Sequence, residues 1–157
     1  MTTKTMATAA AAAAVLAFAG GALAADETAG VMATINSFND GLNTGKIPTA
    51  YMTASQSVID EFAPHHWSGP GAVKAWWADF GAFSKKIGMT EPAMKLAKPS
   101  RIEQGSGHAY VIVPAVFSYK QNGKPMHEDG AMTFAMDHTK DGWKINAFTW
   151  SGPRPTP

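Results

Sequence analysis

The chain has 157 residues, 45% hydrophobic and 16% charged, with a formal net charge of +1 and a pI near 8.0. That apolar share suffices for one domain with a buried core, and the near balance of charge excludes a nucleic-acid binder, which needs surplus Lys and Arg to neutralise phosphates. Because the chain contains no Cys, disulfides, thiol nucleophiles and thiolate metal sites are excluded as well.

Lys4 precedes an apolar run from Ala7 to Ala19, which leads into Gly20, Gly21, Ala22, Leu23 and Ala24. This order of charge, apolar stretch and small residues predicts a secretory signal peptide over residues 1–24, cut after Ala24. The run is too short and too rich in Ala to span about 30 Å of hydrocarbon, so no membrane span is expected in the mature chain. Loss of Lys4 removes the net charge, and the expected product is a nearly neutral protein exported to the periplasm or the medium.

Val31, Ile35, Phe38 and Leu42 recur at steps of four, three and four, which predicts a helix with one apolar face. Asp26 or Thr28 can cap its start, and Gly45 lies beyond its end. Pro48 is suited to open one short helical turn through Met52. A short strand is predicted over Ser57 to Phe62, then a loop from His65 to Gly71. Val73, Trp76, Trp77, Phe80, Phe83 and Ile87 next form an aromatic stripe at helical spacing, stopped by Gly88.

From Met94 the pattern shifts to period two. Strands are predicted at 94–97 with 100–104, 108–120, 124–137 and 143–150, with Asn122-Gly123 and Asp141-Gly142 as hairpin turns. Pro114 lacks an N–H for the ladder, which predicts a bulge or bend there. Helices first and a long antiparallel run afterwards make an α+β order, a curved sheet wrapped over two to three N-terminal helices. Residues 25–152 form the expected domain, and residues 153–157 a Pro-rich tail.

With that order in view, the chain resembles the nuclear transport factor 2-like superfamily, in its SnoaL-like and ketosteroid-isomerase-like bacterial branch. The resemblance rests on Phe38-Asn39-Asp40-Gly41-Leu42-Asn43-Thr44-Gly45-Lys46, Ser57-Val58-Ile59-Asp60, Trp67-Ser68-Gly69, Gly142-Trp143-Lys144-Ile145 and Thr149-Trp150. It implies a cone with an apolar pocket at its mouth and a homodimer through the outer sheet face. Asp60 matches the family's proton-shuttling carboxylate, although Glu61-Phe62 replaces the Pro that commonly follows. Phe38 stands where the family has an oxyanion-donating tyrosine, and the second donor maps near Ala131 or Met132. None of these side chains donates, and each lost donor costs about 3 to 4 kcal/mol of transition-state stabilisation. The familiar steroid isomerisation is therefore not expected.

Asp60 beside Val58 and Phe62 is a carboxylate among apolar neighbours, the setting that raises a pKa toward that of a general base. His127 and Asp129 share one strand face and are its candidate acid or base partners. A metal site is not expected, because His127 and Asp129 lack a third ligand from His138, His65 or His66. No cofactor is expected. The candidate ligand-binding set is Phe38, Tyr51, His66, Trp67, Trp76, Phe80, Phe117, Phe134 and Trp150. Two functions stay open at this point: a non-catalytic binder of a small apolar ring or acyl molecule, or an isomerase-, cyclase- or hydrolase-like enzyme using Asp60 on a small ketone or lactone.

Overall fold

A computed structural model describes residues 16–157, with side chains from Glu27 onward, so the predicted leader over residues 1–24 lies outside the residues described with side chains. In chain order the elements are α1 (Leu16–Asn43), a 3-10 turn (Thr49–Tyr51), β1 (Met52–Ile59), β2 (His66–Gly69), α2 (Ala72–Ile87), β3 (Met89–Leu96), β4 (Arg101–Gly105), β5 (His108–Gln121), β6 (Lys124–Thr139) and β7 (Gly142–Ser151). The strands form one sheet in the order β2-β1-β7-β6-β5-β3, with β4 also paired to β5. All pairs are antiparallel except β1 with β7. The α+β architecture read from the sequence is the one observed, with that single parallel pair added. No helix among the described residues is long and apolar enough to cross a membrane.

The helices take the faces their spacing predicts. Val31, Ile35 and Phe38 of α1 are between 0% and 1% exposed, and α1 packs against β3 and β7. Its backbone begins at Leu16, so neither Asp26 nor Thr28 caps it; the Ala-rich stretch before them has the propensity to continue a helix. On α2, Ala72, Val73 and Trp76 are buried against β1 and β2. Gly88, with φ of 70°, closes α2 in the left-handed conformation that side chains disfavour. At its other end the cap residue Gly71 offers no side chain. The buried Gln56 of β1 does so instead: its Oε1 accepts from the Val73 N–H at 2.9 Å and its Nε2 donates to the Thr53 carbonyl at 2.9 Å.

Three local expectations are corrected. The first strand is Met52–Ile59 rather than Ser57 to Phe62, because the Asp60 N–H turns to bond the His65 carbonyl at 3.1 Å and leaves the ladder. The predicted loop after it contains β2, whose Trp67 pairs with Val58 across an antiparallel ladder. Finally, Pro114 makes no bulge: β5 and β6 run in unbroken register through Pro114 opposite Ala131. The Pro114 carbonyl accepts from the Ala97 N–H at 2.8 Å, so its missing N–H faces the same outer side, where the neighbour changes from β3 to β4 and the ladder is already open.

Strand parity decides what faces inward. On β6, Glu128, Met132, Phe134 and Met136 are buried, while the odd-numbered residues look outward. On β7 the parity switches, since the register with β6 slips between Ala135 and Met136; Trp143 and Ile145 face inward before the bulge, Phe148 and Trp150 after it. One end of the interior is thereby filled, with Phe38 against Phe148 at 5.0 Å and Phe134 at 6.1 Å between ring centroids. The other end is hollow.

Candidate functional site

The hollow end is a cavity of about 350 Å³, at the small end of the range for small-molecule sites. It is walled by α2 (Trp76, Trp77, Phe80, Phe83), β3 (Met89, Met94), β5 (Phe117, Tyr119), β6 (Glu128, Met132) and β7 (Phe148, Trp150), with Asp60 and Glu61 entering from the loop after β1. Aromatic rings stack along the helix wall: Trp77 and Phe80 lie 5.7 Å apart at 29°, and Trp76 and Phe80 6.0 Å apart at 22°. The β3 wall is fixed by α1. Asn43 both accepts from the Met94 N–H and donates to the Met94 carbonyl, each at 2.8 Å, and Asn39 donates to the same carbonyl at 3.1 Å.

The tail of residues 152–157 folds back over this end. Thr156 and His127 exchange backbone hydrogen bonds of 2.9 and 3.0 Å, and Pro155 joins the cavity lining.

Asp60 is held by two donors. The Trp76 indole N–H reaches its Oδ2 at 2.8 Å and the Glu61 backbone N–H its Oδ1 at 2.7 Å. Burial nevertheless raises its pKa above the ordinary carboxylate value, against the lowering by those two bonds and the charge of His65. Glu128, only 2% exposed, accepts from the Trp150 indole N–H at 3.2 Å, and the Tyr119 phenol lines the same cavity. Burial raises its pKa too, assisted by the charge of Asp60. Glu61 stands exposed at the mouth, yet partial burial and then the charges of Glu128 and Asp60 push it up to about 7. The buried Tyr119 phenol is raised by desolvation first and by the charges of Glu128 and Glu61 next.

The Trp150 indole lies in a slot with no spare room. A Cβ on Gly130 would stand 2.7 Å from the indole edge, and one on Gly152 2.8 Å from it. Glycine at both positions lets the ring reach Glu128.

The structure brings together Asp60, Trp76, Phe80, Phe117 and Trp150 from the sequence-predicted set. It separates the others. His127 and Asp129 lie on the outer parity of β6, 3.7 Å from each other and away from the cavity, so they are not partners of Asp60. Phe38 and Phe134 are sealed in the filled end. Trp67 is buried behind α2 and donates to Asp79 at 2.8 Å, while His66 is exposed and meets Ser57 at 3.2 Å. Tyr51 lines a separate polar depression with Trp143 and Lys144. Of the two positions mapped to the second donor, Met132 does line the cavity and has none to offer.

Sequence reasoning missed Glu61, Tyr119 and Glu128. A signal for Glu128 existed: counting back by twos from Met136, Phe134 and Met132 reaches Glu128, not His127. Among the described residues no three His, Cys, Asp or Glu side chains converge closely enough to hold a metal ion.

No protein-family model matches the chain, and the search of curated proteins finds no match. Solved structures do match. A nuclear transport factor 2-like superfamily protein from Salmonella enterica aligns over 85% of this chain and 96% of that one, with TM-score 0.68 and 18% identity. A hexachlorocyclohexane dehydrochlorinase aligns over 84% of this chain and 88% of its own, with TM-score 0.71 and 11% identity. A ketosteroid isomerase-like protein from Erwinia carotovora covers 83% of this chain and 98% of its own, with TM-score 0.64 and 14% identity. At these identities the likeness is one of fold, and the chain has the nuclear transport factor 2-like fold.

Proposed function

We propose that this is an exported small-molecule-binding domain, released from its leader after Ala24, whose cavity receives a compact ring-bearing molecule. The observation that carries this reading is the aromatic cavity of about 350 Å³ at the hollow end of the sheet. Export is supported by the sequence of the leader alone. The oxyanion donors of the isomerase pattern have no counterpart at Phe38 or Met132, which favours binding over enolisation.

One observation favours a second reading. Asp60 is half-buried, oriented by two N–H donors and raised in pKa, as a general base for a small ketone or lactone requires. Its partners in that reading are Glu128 and Tyr119, in place of His127 and Asp129. The fold hosts both a dehydrochlorinase and a ketosteroid isomerase-like protein, so acid–base chemistry fits the scaffold.

Proton NMR of the purified protein in heavy water, with a panel of small cyclic ketones and lactones, separates the two. Saturation transfer without loss of α-proton signals is the expected result for a binder. Catalysed α-proton exchange that vanishes in Asp60→Asn would instead establish the enzyme.

A further inference from the structure

We infer that the occupant of this cavity is an organic ammonium ion carrying a ring, held by aromatic faces and by the carboxylates of Asp60, Glu61 and Glu128. The inference rests on the pocket reading above and names the ligand's charge.

The first argument is the sign of the lining. It contains those three acids and no Lys, Arg or His. Carboxylates gathered without a counter-charge in an apolar cavity are unfavourable unless something neutralises them. The walls supply no cation, so in the empty cavity protons take that part, in keeping with the raised pKa values of all three acids, and a cationic ligand is the other partner that would stabilise their ionised forms.

The second argument is the accounting of donors. The Trp76 and Trp150 indoles are spent on Asp60 and Glu128 and the Asn43 amide on Met94, which leaves the Tyr119 hydroxyl and the Gln121 amide as the neutral donors of the lining. An anion or a developing oxyanion would have those two donors set against three acids. Each carboxylate still has lone pairs to accept with, so the cavity asks for a ligand that donates or is positive.

The third argument is shape. The acids do not converge at one point, as the absence of a metal-sized cluster among the described residues indicates. They stand apart in a space lined by Trp76, Trp77 and Phe80, aromatic rings whose negative quadrupoles attract a diffuse cation. A bare metal ion fits that layout poorly; an alkylammonium on a ring fits it well.

The charged and titratable groups facing Glu61 are Asp60 on the same loop, Glu128 on β6 and Tyr119 on β5, with the charge of His65 reaching Asp60. Asp79 and Glu91 lie outside the lining, engaged by Trp67 and Lys120. Ionisation of Glu61 near pH 7 therefore adds negative charge to the cavity, and cation affinity rises through that range.

The test is a tryptophan-fluorescence titration with two matched probes, benzyltrimethylammonium and its neutral carbon isostere neopentylbenzene, at pH 8 and pH 5.5. The expected result is a preference for the cation of about tenfold or more at pH 8, shrinking at pH 5.5. In the Glu61→Gln/Glu128→Gln double variant the preference should fall severalfold, to what Asp60 and the aromatic rings supply, while the neutral probe still binds, which also shows that the variant is folded. Equal or tighter binding of neopentylbenzene to the unaltered protein overturns the cation assignment and leaves the pocket reading standing. A preference undiminished in the double variant overturns the role given to Glu61 and Glu128. If neither probe binds, the pocket reading fails and the ammonium inference fails with it.

Discussion

The interior around Phe38 and Phe134 and the interior around Asp60 and Glu128 are built on the same strands, β6 and β7, yet they oppose each other in character. The first is filled: Val31, Ile35, Val111, Val113 and Ile145 are all at 0% exposure, with Phe38, Phe134 and Met136 at 1%. Among its described side chains no group titrates. The second is hollow and holds carboxylates whose ionised forms burial disfavours. Cohesion comes from one end and chemical individuality from the other, a division that lets the site carry unfavourable charge without unfolding the domain.

Substitutions in the two ends should differ most. Phe134→Ala removes a fully buried ring and is expected to cost about 3 to 5 kcal/mol in urea denaturation. Phe80→Ala, a half-buried wall of the cavity, is expected to cost about 1 kcal/mol. Equal costs would erase the distinction between the ends.

At the boundary between them, Gly130→Ala forces a Cβ against the Trp150 indole and the Ser151 carbonyl, with an expected cost of about 1 to 3 kcal/mol. The Trp150 indole N–H resonance should move in two-dimensional NMR as the ring leaves Glu128. The Trp67 indole, bound to Asp79, serves as the control. An unmoved Trp150 signal would remove the slot from the account.

The smallest effect sharpens the electrostatic side of the comparison. Glu61 takes up its proton more readily in the folded chain, near pH 7 against 4.5 for the ordinary group, so the native state binds more protons across that interval. Stability should fall as pH rises from about 5 to about 7.5, because the unfolded state ionises more easily there. Asp137, lowered chiefly by the Asn146 amide, acts in the opposite sense, but only as pH drops toward and below its ordinary value of 3.8. A melting temperature that climbs between pH 5 and 7.5, or a Glu61→Gln variant with the same slope as the parent, would contradict the assignment.

The filled end was legible in the sequence. The spacing of Val31, Ile35 and Phe38 and the hairpin turn at Asp141-Gly142 match what is observed. Periodicity reports which residues leave water, and in that end leaving water is the whole task. The hollow end was legible only in part. Of the residues the sequence points to, Asp60, Trp76, Phe80, Phe117 and Trp150 line the cavity while Phe38, Trp67 and Phe134 do not, because buried aromatic residues look alike in one dimension whether they fill a core or face a void. His127 and Asp129 are familiar acid–base types, yet it is Glu128 between them that is buried. Only the parity of β6 separates them, and that parity is fixed by Met132, Phe134 and Met136 further along the strand.

One more property follows from the backbone exchange between Thr156 and His127. Whatever is joined after Pro157 departs from the edge of the cavity. An affinity handle or a reporter fused there would pull directly on the strap that contributes Pro155 to the wall. A label on the far edge of the sheet, at the Ser106-Gly107 turn between β4 and β5, leaves the strap at rest.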